Sequence, residues 1–328
     1  MKKKIFDFVL RSSVSVILII ILLYIMKDKY AAIVEALKTM NFSLFLLALA
    51  VFVVAIGTSG LRMRLIVQAQ NIPITVMEAL SLTFIGYFFN NFLPTAIGGD
   101  FVKGYYISKK SDDKMNSYTA VFIDRAIGLF TMIFMGAIAL VFAKKEIIDP
   151  SIRNAIFAIS ACCLLLVVFL TNKTFARKFS ILLIFVRPIE ERLVRLYNVI
   201  HNYKNHTKLM VQSVLISVTS QLCFFATIGL LALSVGSKID LINILLRMPI
   251  VSAMSLLPSI NGLGVREGST VLMFGPLIGK SSAFAVSILW LLILIVISVA
   301  GGLIYGLSPQ FRVKLKEVEE EAPSSDVI

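Results

Sequence analysis

Apolar runs long enough to enter or cross a lipid bilayer recur from one end of this chain to the other. A transmembrane helix needs about 20 mostly apolar residues. Runs of about this length occupy residues 12–26, 43–61, 117–142, 152–170, 209–235 and 283–307. Hydrophobic residues make up 58% of the chain and its mean hydropathy is +0.90, whereas soluble domains are about 45–50% apolar. The sequence therefore predicts an all-α, polytopic membrane protein with about six full transmembrane helices.

The positions of basic residues between these runs predict the topology. Basic residues precede the first run, follow the second at Arg62 and Arg64, fill the loop 173–208 and follow the last run. Lys and Arg collect on the cytoplasmic side of membrane proteins, so we place both termini in the cytoplasm. No signal-peptide cleavage pattern follows the first run, which we take as a retained helix. The net charge of +13 is explained by these loops, and no nucleic-acid partner is predicted.

Two further apolar segments, residues 74–97 and 241–279, are interrupted by proline and glycine. In each, a Leu-Pro pair is followed four positions later by a glycine, then by a second glycine and by charged residues. Pro94 and Pro258 lack the N–H group that a helix interior uses. The two segments therefore predict broken helices at matching places in the chain.

The first interrupted segment predicts a re-entrant hairpin rather than a crossing. If residues 74–97 crossed the membrane, the lysines that follow would lie outside, against the positive-inside rule. They are Lys103, Lys109, Lys110 and Lys114. A segment that turns back near Pro94 keeps them in the cytoplasm. Irregular backbone at membrane depth is tolerated only in protein or beside a wet cavity, so the turn predicts a cavity.

The same charge rule predicts an inverted repeat. The last run must end in the cytoplasm, so the segment 241–279 begins and ends outside. Both halves, near 1–145 and 150–310, then contain two helices, a re-entrant segment and a further helix, but they start on opposite sides of the membrane. Broken segments in inverted repeats are typical of membrane transport sites. Residues 1–310 form the predicted membrane domain, and residues 311–328, which are acidic from Glu317 onward, form a predicted disordered cytoplasmic tail.

Charged residues in or beside the membrane segments are candidates for function because they are costly there. They are Asp100, Lys103, Asp124, Arg125, Arg247, Arg266 and Glu267. Asp124-Arg125 and Arg266-Glu267 are adjacent opposite charges, and neighbours on a helix do not face each other. We therefore expect each to have a partner elsewhere. Asp100 with Arg125 or Arg266, and Glu267 with Arg125 or Lys103, are the candidate pairs.

Two roles are open for these charges: ion pairs that lock the two repeats together, or a binding site for an anionic headgroup. The guanidinium fork of arginine matches phosphate oxygens, and glycine turns and neutral side chains can add hydrogen bonds. The candidate substrate-binding residues are Asn91, Pro94, Gly98, Gly99, Asp100, Lys103, Asp124, Arg125, Pro258, Ser259, Asn261, Gly262, Gly264, Arg266 and Glu267.

The sequence carries no motif for a known catalytic mechanism. There is no hydrolase elbow, P-loop, HExxH motif or clustered Cys/His site, and Cys162, Cys163 and Cys223 lack metal-ligand spacing. We predict neither a metal nor a cofactor, and a non-enzymatic function. An intramembrane enzyme that uses Asp100, Asp124 or Glu267 is the alternative.

Three motifs resemble the family named for the transmembrane region of lysylphosphatidylglycerol synthase, also called the flippase-like domain family. They are Asn91-Phe92-Leu93-Pro94 with Gly98-Gly99-Asp100 and Lys103, Asp124-Arg125-Ala126-Ile127-Gly128-Leu129, and Pro258-Ser259 with Gly262-Leu263-Gly264-Val265-Arg266-Glu267-Gly268. The resemblance implies a multi-pass membrane protein of a bacterium or archaeon. In bacterial proteins that join such a domain to an aminoacyl-transferase domain, it moves aminoacylated phospholipid between leaflets. We expect this chain to lack that transferase domain, and Lys103 stands where many relatives have arginine.

The predicted function is movement of a lipid between the leaflets of a prokaryotic cell membrane, as a flippase or scramblase. The predicted partner is an anionic or aminoacylated phospholipid, or a polyprenyl-phosphate-linked lipid. A transporter of a small soluble anion is one alternative. A non-transporting membrane partner of a separately encoded lipid-modifying enzyme or glycosyltransferase is another. A homo-oligomer is compatible with all three.

Overall fold

Helices make up every regular element that the structure describes. The structure, a computed structural model, describes residues 34–35, 38–90, 98–111, 113–142, 150–171, 203–255, 264–308 and 311. Its α-helices are α1 (Phe42–Gln68), α2 (Val76–Asn90), α3 (Gly98–Ser108), α4 (Lys114–Phe142), α5 (Pro150–Thr171), α6 (Thr207–Ser234), α7 (Leu241–Met254), α8 (Val265–Ile278) and α9 (Lys280–Leu307), with a short 3-10 turn at Tyr203–His206. The predicted all-α, polytopic fold is confirmed.

Within the described part of the chain, four helices are long and apolar enough to cross a membrane: α1, α4, α6 and α9. Each has 27 to 29 residues, which gives a length of about 40 Å. Large apolar side chains on them face outward, such as Phe134 (66% exposed) and Val141 (80% exposed), as lipid-facing positions require. Helix α5 covers the predicted run 152–170, and the predicted first helix, 12–26, lies outside the described residues.

The first described helix corrects one predicted boundary. The basic residues Arg62 and Arg64 led us to end this helix at residue 61, but α1 continues to Gln68. Asn41 caps its start, because the Asn41 side chain accepts a hydrogen bond from the Leu44 N–H at 3.2 Å. Arg62 is 5% exposed inside the helix. Its charge has a buried partner, so it does not mark the membrane edge.

Helices α1 and α6 pack along each other in opposite directions. The Asn41 N–H donates to the Ser234 carbonyl at 2.7 Å, at the start of α1 and the end of α6. Further along, the Ser220 hydroxyl donates to the Ala55 carbonyl at 2.8 Å. These two helices hold the same place in the two predicted halves. Equivalent helices that run antiparallel are what an inverted repeat requires.

The two interrupted segments form helical hairpins. Helices α2 and α3 run antiparallel, since the Gly99 N–H donates to the Asn90 side chain at 2.7 Å across their inner ends. Helices α7 and α8 contact each other where the Arg247 side chain of α7 donates a hydrogen bond to the Met273 carbonyl of α8. The arms have 15, 11, 14 and 14 residues, so each is about 16–22 Å long. A bilayer core is about 30 Å thick, so no single arm crosses it.

The outer ends of the two hairpins lie at opposite ends of α1. Arg64, near the end of α1, donates to the Ile74 carbonyl just before α2 at 3.3 Å. The other hairpin begins at Leu241, shortly after Ser234, which contacts Asn41 at the start of α1. At the outer end of the first hairpin, the Tyr106 hydroxyl of α3 donates to the Phe311 carbonyl at 2.9 Å. Phe311 follows α9, so the end of α9 lies near the same end of α1 as this hairpin. This arrangement supports the re-entrant segments, which stay a prediction.

Each hairpin packs against a long helix of the opposite predicted half. Helix α2 lies so close to α9 that a Cβ at Gly301 would overlap the Phe84 carbonyl. Helix α7 comes less close to α4, where a Cβ at Gly136 would lie 3.0 Å from the Pro249 side chain and 3.1 Å from the Leu245 carbonyl. Small residues allow such approaches between membrane helices. The packing therefore joins the two halves around one centre. The half boundaries, near 1–145 and 150–310, stay a prediction.

Candidate functional site

A polar cavity of about 350 Å³ lies at the inner ends of the two hairpins. Residues of both predicted halves line it. The polar and charged residues of its wall are Ser59, Arg62, Thr83, Tyr87, Asn90, Asp100, Lys103, Asp124, Arg125, Ser220, Gln221, Ser252, Ser255, Arg266 and Trp290. The two interrupted segments, which are about 170 positions apart in the sequence, thus meet at one site.

The first hairpin contributes an ion cluster around Asp100. Lys103 Nζ lies 3.1 Å from Asp100 Oδ1, and Arg125 Nη1 of α4 contacts Asp100 Oδ2. Asp100 stands in the first turn of α3, where the helix dipole also favours a negative charge. Arg125 keeps 27% of its side chain exposed. The cluster formally carries one net positive charge at the cavity wall.

A second ion pair joins α1 to α4 through Arg62, which the sequence did not identify as a site residue. Arg62 Nε lies 2.7 Å from Asp124 Oδ1. Its other nitrogen atoms donate to the hydroxyls of Ser217 at 2.9 Å and Ser59 at 3.2 Å. Each of the three guanidinium nitrogen atoms therefore has a hydrogen-bond partner, and Asp124 balances the charge. A signal for this was that apolar residues resume after Arg62, at Met63, Leu65, Ile66 and Val67.

The third charged pair, in the second hairpin, contradicts the expectation that neighbours cannot face each other. Arg266 Nη2 lies 3.1 Å from Glu267 Oε1, and both side chains are about 95% buried. Glu267 also accepts a hydrogen bond from the Gly264 N–H at the start of α8. Gly264 has a φ of 83°, which favours glycine. Because Glu267 folds back to cap the helix, it comes within reach of the Arg266 head group.

The structure brings five of the predicted candidates to the cavity wall: Asp100, Lys103, Asp124, Arg125 and Arg266. Glu267 is bonded to Arg266, and Gly98, Gly99 and Gly264 stand at the starts of α3 and α8. The candidates Asn91, Pro94, Pro258, Ser259, Asn261 and Gly262 lie outside the described residues. The arginine at 247 is buried but is not part of this wall.

The cavity is electropositive. Of the residues that the structure describes, four cationic side chains and two carboxylates line it, which gives a formal charge of +2. The carboxylate of Glu267 next to Arg266 reduces this to +1. In a site of low dielectric, an excess charge attracts an opposite charge more strongly than in water. The arrangement can therefore bind an anionic group surrounded by hydroxyl and amide side chains.

A second, larger cavity of about 880 Å³ lies on the other side of α4 and α6. Its wall is almost wholly apolar and includes Phe134, Phe142 and Leu164, whose exposures are 66%, 76% and 66%. We call it the apolar groove. Helix α4 forms a wall of both spaces: Gly128 faces the polar cavity and Ile127 the apolar groove. A hydrogen bond of 3.0 Å from the Gln221 side chain of α6 to the Gly128 carbonyl of α4 joins these two helices between the polar cavity and the apolar groove.

Comparison with known proteins places the chain in a family. Over 167 residues the sequence is 27% identical to the UPF0104 membrane protein PH1989 of Pyrococcus horikoshii. The aligned part covers 48% of this chain and 47% of that protein, so the match spans about half the length of the relative. Residues 9–302 match the family described as the lysylphosphatidylglycerol synthase TM region. This match covers most of the 328 residues, and the chain therefore belongs to the family of the lysylphosphatidylglycerol synthase transmembrane region, as its motifs predicted.

Proposed function

We propose that this protein moves a lipid with an anionic or aminoacylated phosphate headgroup between the leaflets of a prokaryotic cytoplasmic membrane. The observation that carries the proposal is the electropositive cavity at the inner ends of two short hairpins. A charged headgroup does not cross the bilayer core unaided, because charge is costly there. A cavity with hydroxyl groups and excess positive charge lowers that cost for a phosphate. The lipid is a phospholipid or a polyprenyl-phosphate-linked lipid.

The apolar groove supports a lipid substrate over a small soluble anion. It has a volume of about 880 Å³ and is lined by exposed side chains on the lipid-facing side of α4 and α6. Binding sites are usually apolar pockets of about 300–1,000 Å³ with a few polar groups. In this protein the polar and apolar parts adjoin across α4. A lipid with its headgroup in the polar cavity and its hydrocarbon chains in the apolar groove therefore requires α4 and α6 to part where Gln221 bonds to the Gly128 carbonyl.

The motifs of the sequence bear on the energy source for the proposed lipid movement. The sequence carries no P-loop, so we propose downhill movement or coupling to an ion gradient rather than ATP hydrolysis. With both termini in the cytoplasm, the first hairpin enters the membrane from the cytoplasmic side and the second from outside. Each hairpin then brings its own charged cluster to the shared cavity.

Leaflet exchange in liposomes tests the proposal. The purified protein is reconstituted with labelled phosphatidylglycerol, aminoacylated phosphatidylglycerol or a polyprenyl phosphate, and movement between leaflets is followed. We expect wild-type protein to move at least one of them selectively. Asp100→Ala removes the carboxylate that holds Lys103 and Arg125 at the cavity wall, and Arg266→Ala removes a cation from that wall, so both variants should lose most of this activity.

The matched control is Lys110→Gln, which breaks an ion pair with Glu78 outside the polar cavity. It should exchange lipid at the wild-type rate. Unfolding temperatures of all variants show whether they are folded. If folded wild-type protein moves none of the three lipids, the proposal is wrong. Uptake of a soluble phosphate by the same liposomes would then favour an anion transporter, and no uptake would favour a partner of a lipid-modifying enzyme.

A further inference from the structure

The wall of the polar cavity contains two buried N–H groups without an acceptor. Among the described residues, eight buried side-chain polar atoms have no hydrogen-bond partner, and two of these belong to residues that line the polar cavity. They are Arg266 Nε and Trp290 Nε1. Buried polar groups are nearly always paired, and an unpaired donor destabilises a protein. Two such donors at one place therefore indicate a missing acceptor.

The two groups form one unit. The guanidinium carbon of Arg266 lies 5.2 Å from the centre of the Trp290 ring, within the range of a cation–π interaction. Both side chains are at least 93% buried. Two serines of α7, Ser252 and Ser255, line the same cavity.

The position of the tryptophan is unusual for a membrane protein. Trp290 is the eleventh of 28 residues in α9, about 16 Å from the helix start, and it is the one tryptophan of the chain. Tryptophan is enriched at the membrane surface, where its N–H finds water or headgroups. At this depth the indole N–H needs an acceptor supplied by the protein or by a ligand. The described protein residues supply none.

The chemistry of the pair selects an oxygen anion. The indole N–H and the guanidinium N–H groups donate and cannot accept, so their missing partner is an acceptor. The other arginine near the centre, Arg62, already donates to Asp124, Ser217 and Ser59. Arg266 donates from one terminal nitrogen to Glu267, and its Nε has no hydrogen-bond partner. A phosphate carries several acceptor oxygens in the fork geometry that arginine matches.

We propose that Arg266 and Trp290 form a subsite for the phosphate oxygens of the substrate, with Trp290 as a specificity-determining residue. The proposal rests on the proposed function, because it assigns part of the same site. Both nitrogen atoms are covered in this conformation. Binding therefore requires the neighbouring side chains to shift, and this changes the surroundings of the indole.

Because Trp290 is the one tryptophan of the chain, its fluorescence emission reports binding at the proposed subsite. Wild-type protein in a phosphate-free detergent is titrated with short-chain phosphatidylglycerol, with diacylglycerol of the same chains, and with glycerol 3-phosphate and inorganic phosphate. We expect a saturable change in tryptophan emission with phosphatidylglycerol and none with diacylglycerol. A response to the soluble phosphates at the same concentrations supports the subsite and assigns it to a soluble anion. Equal responses to phosphatidylglycerol and diacylglycerol would show contact with the chains only and overturn the proposal.

Two conservative variants test the donors directly. Arg266→Lys keeps the charge and removes the fork and Nε, and should weaken the fluorescence-detected affinity for phosphatidylglycerol about tenfold, the value of one hydrogen bond to a charged group. Trp290→Phe keeps the ring and removes the N–H, and should raise the half-saturating lipid concentration for exchange by a similar factor. Lys110→Gln should change neither value.

The outcomes separate this inference from the proposed function. If wild-type protein exchanges lipid and folded Trp290→Phe does so with unchanged half-saturation and unchanged headgroup preference, the subsite is wrong and the flippase proposal stands. If wild-type protein exchanges no lipid but its emission responds to the soluble phosphates, the subsite stands and the flippase proposal fails. Absence of any emission change in protein that exchanges lipid would also overturn the subsite.

Discussion

At the residue scale, the charged groups of the site differ in how completely they are balanced. Arg62 and Asp124 pair with each other and are nearly inaccessible, and every guanidinium nitrogen atom of Arg62 has a partner. Such a buried pair is weak support for stability in itself, but removal of one member leaves an uncompensated charge. Arg125 and Lys103 share one carboxylate, and Arg125 keeps 27% of its side chain exposed. We therefore expect Arg62 to maintain the structure of the site, and we propose that Arg125 takes part in binding.

The structural role of Arg62 can be measured by thermal unfolding in detergent. Arg62→Met leaves Asp124 buried and charged, so we expect a loss of about 3–5 kcal/mol. The double variant with Asp124→Leu should recover most of that loss because neither charge remains. Lys110→Gln breaks a more exposed pair and should cost at most about 1 kcal/mol. If Arg62→Met were no less stable than Lys110→Gln, the buried pair would have no structural role.

At the element scale, the hairpin α2–α3 depends on the close approach of its two arms. A Cβ at Gly99 would overlap the Gly86 carbonyl, and one at Gly86 would overlap the Lys103 side chain. Backbone carbonyls cannot move aside as flexible side chains can. The glycines therefore determine how near Asp100 and Lys103 lie to the cavity. Without them the hairpin would open at its inner end.

Replacement of Gly99 by alanine should separate the arms of this hairpin. Overpacking of this kind costs about 1–3 kcal/mol, and we expect reduced exchange together with a lower unfolding temperature. Gly57→Ala in α1 is the matched control, because a Cβ there meets open space. Alanine has the higher helix propensity, by about 1 kcal/mol, so the control should be at least as stable as wild type. Equal stability of the two variants would contradict the close packing of α2 and α3.

At the scale of the whole molecule, the two hairpins approach one centre from opposite ends of α1. Helix α1 is about 40 Å long, and its two ends lie near the outer ends of different hairpins. Because α1 and α6 are antiparallel, the predicted inverted repeat would present the same architecture to both sides of the membrane. Inverted repeats of this kind permit one site to be opened to either side in turn.

Cysteine labelling in cells checks this arrangement. In a variant without Cys162, Cys163 and Cys223, new cysteines are placed at Ser111, after α3, and at Lys238, after α6. We expect a membrane-impermeant reagent added from outside to label position 238 and not position 111. Permeabilised cells should label both. Labelling of position 111 from outside would show that the segment 74–97 crosses the membrane.

The sequence by itself determined the class of the fold, the positions of the long helices and the family. These follow from local properties: the length of an apolar run sets whether a helix can cross a bilayer, and Pro and Gly mark where a helix is interrupted. The motifs around Asp100, Asp124 and Arg266 also identified much of the charged part of the site, because charge is rare inside a membrane.

Only the tertiary structure decided which charges neutralise one another and which donors lack a partner. Arg62 resembled a membrane-edge residue in the sequence, yet Asp124, 62 positions away, pairs with it inside the protein. Trp290 lies in an unbroken apolar run, and its unpaired N–H becomes apparent only where α8 and α9 meet at Arg266. The cost of a buried polar group depends on the atoms around it in space, and these come from distant parts of the chain.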